Sequence, residues 1–149
     1  MNIIQHREFS KLRLNELANR FKTIHELNDN KLCVFATGSY GRLEASPNSD
    51  IDLFFLDTDH SLQTSNLEKT IINAEIIKIC RNLGLPEFSK DGLYLKSLWL
   101  KEMKDAIGSP ADDYYNFFTA RLLMLLESQP LYNEYLYEKA LQEIINCYY

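Results

Sequence analysis

Leu32-Cys33-Val34-Phe35-Ala36-Thr37-Gly38-Ser39-Tyr40-Gly41-Arg42 and, a short loop later, Asp50-Ile51-Asp52-Leu53-Phe54-Phe55-Leu56 decide how this chain folds. Residues 32–36 are a continuous apolar run, which predicts a strand buried on both faces. Gly38 punctuates its end, where the lack of a Cβ lets the backbone turn sharply and approach a ligand. Glu44-Ala45-Ser46-Pro47-Asn48-Ser49 reads as a loop by its turn-forming residues. Residues 51–56, rich in branched and aromatic side chains, read as a second strand. Strand alternation then puts Asp50 and Asp52 on one face and sends Ile51 and Leu53 into the core.

Two carboxylates side by side repel each other unless a positive charge sits between them. A divalent cation supplies that charge, and Mg²⁺ takes hard oxygen ligands completed by water and substrate phosphates. Such a pair can clamp a triphosphate and neutralise charge as its α-phosphoryl group is attacked. Ser39 offers a hydroxyl and an amide after the strand, and a helix starting there would favour phosphate. Gly41 keeps the turn uncluttered. Arg42 can contact phosphate or pair with a nearby acid such as Glu44, and both readings stay open. Either half of the pattern alone is common, but buried strand, Gly-Ser, loop and Asp-x-Asp on a second buried strand make a rare combination.

Working outward, about residues 8–27 predict a helix, with Phe9, Leu12, Leu14, Leu17, Phe21 and Ile24 at mostly three- and four-residue steps. Asn28-Asp29-Asn30 breaks it. Residues 67–83 predict another, striped by Leu67, Ile71, Ile72, Ile76, Ile79, Cys80 and Leu83 and stopped by Gly84 and Pro86. A third strand is expected at residues 93–98 and a helix at about 99–107. Beyond Gly108-Ser109-Pro110, two helices at 112–127 and 131–146 are expected as a C-terminal hairpin with Pro130 between them. The order predicts an α+β (mixed α/β) fold, a small mixed sheet flanked by helices. One domain over 1–149 is expected, with a core of about 1–108 and C-terminal helices of about 111–147, as the N-terminal part of a longer protein or by itself.

The chain has 149 residues, 46% of them hydrophobic, so a folded core is expected. Sixteen Lys and Arg against 21 Asp and Glu give a formal charge of −5, without the basic stripe that an extended nucleic-acid track needs. Cys33, Cys80 and Cys147 are odd in number and far apart, and are expected to be buried, reduced thiols of a cytoplasmic protein. His6, His25 and His60 form no ligand set. Neither a signal peptide nor a membrane-spanning apolar stretch is expected.

Residues 37–55 resemble the signature of the DNA polymerase beta-type nucleotidyltransferase superfamily, a Gly-Ser followed by an acidic pair on a strand. The Gly38-Ser39-Tyr40-Gly41-Arg42 and Ser46-Pro47-Asn48-Ser49-Asp50-Ile51-Asp52 segments are similar to the nucleotidyltransferase domain of bacterial protein uridylyltransferases and their uncharacterised relatives. A weaker likeness runs through Phe118-Thr119-Ala120-Arg121-Leu122-Leu123 and Leu126-Glu127-Ser128. The resemblance implies Mg²⁺- or Mn²⁺-dependent transfer of a nucleoside monophosphate from an NTP, ATP among the candidates, to a protein or small-molecule acceptor. Gly38, Ser39 and Arg42 would then bind nucleotide, while Asp50 and Asp52 would be the catalytic and metal-binding acids. Many members carry a third carboxylate on a later strand, but residues 93–98 offer Lys96 and Ser97 instead. Glu87 and Asp91 are the nearest acids. Either that strand is misplaced, or the site has two carboxylates, or catalysis is lost.

Two other roles compete with an enzyme. One is a non-catalytic nucleotide-sensing or partner-docking module; the other is an antitoxin-like nucleotidyltransferase. Tyr114, Tyr115, Phe117 and Phe118 are expected to be core rather than a base-stacking platform. The Tyr-rich C-terminal stretch, with Tyr132, Tyr135, Tyr137, Tyr148 and Tyr149, is expected to pack on the preceding helix or on a partner or second copy.

Overall fold

The computed structural model describes residues 1–27, 32–58, 64–88 and 95–149. One mixed sheet organises them. β1 (Leu32–Thr37) and β2 (Asp52–Asp57) pair antiparallel at its centre, with Leu32 opposite Asp57 and Thr37 opposite Asp52. β3 (Leu95–Trp99) lies parallel to β2 on one edge. β4 (Gln129–Tyr132) lies antiparallel to β1 on the other, which gives the order β3-β2-β1-β4.

The continuous apolar run of β1 has a direct cause, because both faces of that strand are covered. Leu32, Val34 and Ala36 join one cluster with Leu14, Leu17 and Phe21 of α1 (Ile3–Phe21) and Ile72, Ile76 and Cys80 of α3 (Asn66–Asn82). Cys33 and Phe35 join a second cluster with Met103 of α4 (Leu100–Asp105), Phe117, Ala120 and Met124 of α6 (Phe117–Leu126), and Tyr137, Ala140 and Ile144 of α7 (Glu134–Ile145). The α+β class with a mixed sheet flanked by helices therefore holds.

Several boundaries differ from expectation for local reasons. α1 begins at Ile3, because Asn2 and Gln5 form a reciprocal capping box. Ile3 and Ile4 are exposed, so no apolar stripe marks that first turn. The helix stops at Phe21, and a 3₁₀ turn, His25–Leu27, buries Leu27 instead. α3 starts after Ser65, whose side chain and that of Glu68 make a second capping box. Leu67 falls in its first turn and is exposed rather than part of the buried stripe. Gly84, at φ 69°, ends α3, with Leu85 N–H donating to Cys80 C=O as in a Schellman cap. Trp99, expected in a helix, closes β3 instead. The turn at 28–30, Asp91, His60 and the start of the expected third strand at 93–94 lie outside the described residues.

The C-terminal hairpin is the largest correction. The stretch between its two helices is β4, which hydrogen-bonds to β1 and completes the sheet. The first of those helices is also divided, into α5 (Pro110–Tyr114) and α6, by Asn116 in the left-handed region at φ 57°. That break turns Phe117 into the core and leaves Tyr114, Tyr115 and Phe118 exposed, against the expectation that all four are core. Cys33 and Cys80 are buried, but Cys147 is exposed. Burial pushes the Cys33 and Cys80 thiols up to about 12, which makes both inert at neutral pH.

Tyr137 is buried, and its hydroxyl lies 2.7 Å from Ser128 Oγ. Tyr148 accepts a 2.7 Å hydrogen bond from Arg121 Nε, whereas Tyr149 is exposed. Two of the C-terminal tyrosines thus pack on the preceding helix and the bend after it. No helix among the described residues is long and apolar enough to cross a membrane.

Candidate active site

β1 ends at Thr37, and the chain enters a single helical turn, α2 (Gly38–Gly41). Gly38 sits at φ 65°, a conformation that side chains other than glycine's rarely adopt. A Cβ built there would lie 2.8 Å from Asp52 Oδ2. The glycine is therefore needed twice over, for its backbone and for the carboxylate it lets in. The β1–β2 register is what brings the two together, since Thr37 opposes Asp52 across the sheet.

Three backbone hydrogen bonds close the turn: Arg42 N to Gly38 O at 3.0 Å, Leu43 N to Tyr40 O at 3.1 Å and Glu44 N to Ser39 O at 2.8 Å. They hold Leu43 at φ 59°, a strained position for a leucine, immediately beside Arg42. Ser39 is half-buried at this turn, and its hydroxyl has no protein partner among the described residues. Gly41 is buried for a different reason than an uncluttered loop. A Cβ there would meet Glu127 C=O at 2.0 Å, so the end of α6 packs directly against this turn.

The loop that delivers Asp50 is pinned to α1 at Ala45. Ala45 N–H donates to Ser10 Oγ at 2.9 Å, and the N–H at His6 Nδ1, the tautomer that faces a carbonyl, donates to Ala45 O at 2.9 Å. His6 is thus a structural tie from α1. Next, Ser46 and Ser49 close a small turn, with Ser46 N–H donating to Ser49 Oγ at 3.0 Å. Asp50 follows, exposed, then buried Ile51, half-buried Asp52 and buried Leu53. The expected alternation is present, although Asp50 lies just before the strand.

Among the described residues no cation or hydrogen-bond donor pairs with the carboxylate of Asp50 or Asp52. Burial pushes the Asp52 carboxyl above the ordinary carboxylate range, and the charges of Asp50 and then Glu127 push it the same way. Asp57, at the other end of β2, shows the contrast: it accepts from Thr64 Oγ1 at 3.1 Å and has Lys69 Nζ at 3.3 Å. An uncompensated pair of oxygen donors, one exposed and one half-buried, suits a hard divalent cation whose shell is completed by water and phosphate. The described residues hold no cluster of three or more His, Cys, Asp or Glu that could cage an ion alone. The donor set thus fits an ion shared with a substrate.

Arg42 resolves toward pairing. Its Nε donates to Glu44 at 2.9 Å, and its Nη1 donates to Glu127. Glu87 is exposed and pairs with Arg81 at 3.1 Å, and its charge is not among those acting on Asp52. A further acid, Glu127, closes α6 against the Gly41 turn and pairs with Arg42; its only sequence signal was the weak likeness at 126–128. A separate cleft of about 620 Å³, between α1 and β4, is lined by Lys11, Asn15, Lys22, Gln129 and Tyr132 and includes neither aspartate.

Comparisons with curated proteins and with solved structures gave no match. The nucleotidyltransferase domain family matches residues 14–105, a span that contains the α2 turn and both aspartates. With more than half of its length matched, and with a Gly-Ser turn set against an acidic strand, the chain belongs to the nucleotidyltransferase domain family, whose general chemistry is nucleotidyl transfer.

Proposed function

We propose that this chain is a Mg²⁺-dependent nucleotidyltransferase that moves a nucleoside monophosphate from an NTP to a protein or small-molecule acceptor and releases pyrophosphate. The observation that carries this reading is the 2.8 Å approach of Asp52 Oδ2 to the position a Gly38 side chain would occupy. That contact sets the glycine turn against a carboxylate with no partner of its own among the described residues. Gly38 and Ser39 would face phosphate, Asp50 and Asp52 would hold the cation, and Arg42 would close the nucleotide site at the end of α2. The bound ion would neutralise charge developing on the transferring phosphoryl group. The residues' own contribution is to hold turn and acids in one geometry before the nucleotide arrives. A protein acceptor, as in the uridylyltransferases that residues 38–52 resemble, and a cytoplasmic setting suited to unpaired thiols complete the proposal.

A second reading is a non-catalytic nucleotide-sensing or partner-docking module. It is favoured by the exposed Tyr114, Phe118, Leu122 and Leu126, spaced four apart along α5 and α6. Incubating the protein with Mg²⁺ and each α-labelled NTP, with and without cell extract as acceptor source, separates the two. Label transfer with pyrophosphate release, absent in Asp52→Asn, is the expected result. Binding without turnover under every condition would favour the sensing module.

A further inference from the structure

The cleft of about 620 Å³ between α1 and β4 contains neither Asp50 nor Asp52, and its two walls differ in kind. On one side stand Lys11, Asn15 and Ala18 of α1 with Lys22, its C-cap. Steps of four, three and four residues put them on one helix face over about 16 Å. On the other side every residue from 129 to 134 contributes. Successive strand residues face opposite ways, so a cleft that touches all of them runs along the outer edge of β4. That edge is poorly suited to a further strand, because Pro130 has no N–H and the register slips between Val34 and Phe35. Recognition in the cleft therefore falls to side chains.

Lys11 and Lys22 are exposed and make no ion pair or hydrogen bond with any described residue, whereas Arg13 on the same helix is paired with Glu16 at 2.9 Å. Gln129 Nε2 donates to Gly41 O at 3.3 Å, which leaves its Oε1 to accept. Asn133 Oδ1 accepts from Leu136 N–H at 3.4 Å, which leaves its Nδ2 to donate. Asn15 adds one of each, and Leu14, Ala18 and Pro130 are apolar. A polyphosphate calls for donors and cations throughout. This cleft instead mixes donors with acceptors, and Glu134 offsets one of its two lysines. An extended peptide offers N–H and C=O groups in alternation, and about five of its residues span about 16 Å. Gln129 ties the cleft to the α2 turn, as does Leu43, which also lines it and donates to Tyr40 O at 3.1 Å.

We propose that this cleft docks an extended peptide segment of a partner protein, with an acidic residue toward each end for Lys11 and Lys22. On the proposed function that partner is the acceptor, held beside the turn that faces the nucleotide, and the inference rests on that reading for this assignment alone.

Selection of random phage-displayed heptapeptides on the whole chain, without nucleotide or metal, tests this. Enriched peptides are expected to carry Asp or Glu about four positions apart, as the span of the cleft requires. Made synthetically with a fluorescent label, they are expected to bind Lys11→Glu/Lys22→Glu about 10-fold or more weakly, at an unchanged melting temperature. Lys11→Glu alone should weaken them about 3-fold or more. Arg20→Glu, the same charge change on exposed α1 surface outside the cleft, should weaken them by less than about 2-fold. If no peptide is enriched, if the enriched ones lack acids, or if Arg20→Glu weakens them as much as Lys11→Glu, the inference is wrong. Lysine-dependent binding of inorganic pyrophosphate in place of peptides would make the cleft a phosphate site and overturn it too. Titration with NTP and Mg²⁺ is read separately. NTP binding without peptide docking removes the groove and leaves the function, whereas docking by a chain that binds no NTP removes the acceptor assignment together with the functional reading.

Discussion

Two aspartates in this molecule have been given opposite surroundings. Asp112 in α5 meets Arg121 of α6 in a fork of two hydrogen bonds, at 2.8 and 2.5 Å, and both residues are buried. The same guanidinium also donates to Met103 O at 2.6 Å and to Tyr148 Oη at 2.7 Å. Asp52 is half-buried beside Asp50 with no cation against it. Accordingly Arg121 holds the Asp112 carboxyl below the ordinary range, while burial and neighbouring acids push the Asp52 carboxyl above it. The first arrangement closes a fold. The second leaves a carboxylate with no partner among the described residues.

Removing a partner should therefore have opposite consequences at the two sites. Arg121→Ala strands a buried carboxylate and opens a gap among α4, α5, α6 and Tyr148, and is expected to cost about 3–5 kcal/mol in chemical denaturation. A cost below about 1 kcal/mol would show that the pair is not what ties those elements together. Next in size is Gly41→Ala, which drives a methyl into the Glu127 carbonyl. It should cost about 2–4 kcal/mol.

Asp52→Asn should do the reverse of Arg121→Ala. The folded-state carboxyl is raised, so its ionised form opposes folding at neutral pH, and the stability it contributes is present only in acid and is lost as pH rises through the raised value. The amide is thus expected to raise the melting temperature at pH 7. On the proposed function, it should also abolish Mg²⁺-dependent stabilisation. Asp112 carries the opposite sign: its contribution is present at neutral pH and is lost as pH falls below the ordinary carboxylate range. Thermal melts from pH 7 downward should show the Asp52→Asn advantage shrinking before the Asp112–Arg121 contribution goes. Smallest of all is Tyr148→Phe, which removes one hydrogen bond from Arg121 and should cost about 1 kcal/mol.

The same contrast explains how much could be read in advance. β1, the Gly38 turn and the start of β2 are written in local terms: an apolar run, a glycine, and alternating acid and apolar residues. α3 is equally local, bounded by Ser65 with Glu68 and by Gly84. β4 was not legible, because Gln129-Pro130-Leu131-Tyr132 looks like a break between two helical patterns. Proline is tolerated on an edge strand, and only the pairing of Ala36 with Gln129 and Val34 with Tyr132 makes this segment a strand. Glu127 meets the Gly41 turn and Arg42 as a consequence of that docking, so nothing within a local window announces it. Likewise, one left-handed residue, Asn116, decides which of four aromatics is buried.

The central claim is that Asp50 and Asp52 are left unpaired in order to receive a cation carrying a triphosphate. Calorimetric titration of the wild type and of the Asp50→Asn/Asp52→Asn double variant with each NTP, with and without Mg²⁺, tests it most directly. The expected result is Mg²⁺-dependent binding of at least one NTP by the wild type and none by a folded double variant. Binding that is indifferent to Mg²⁺, or that survives the double substitution, would contradict it.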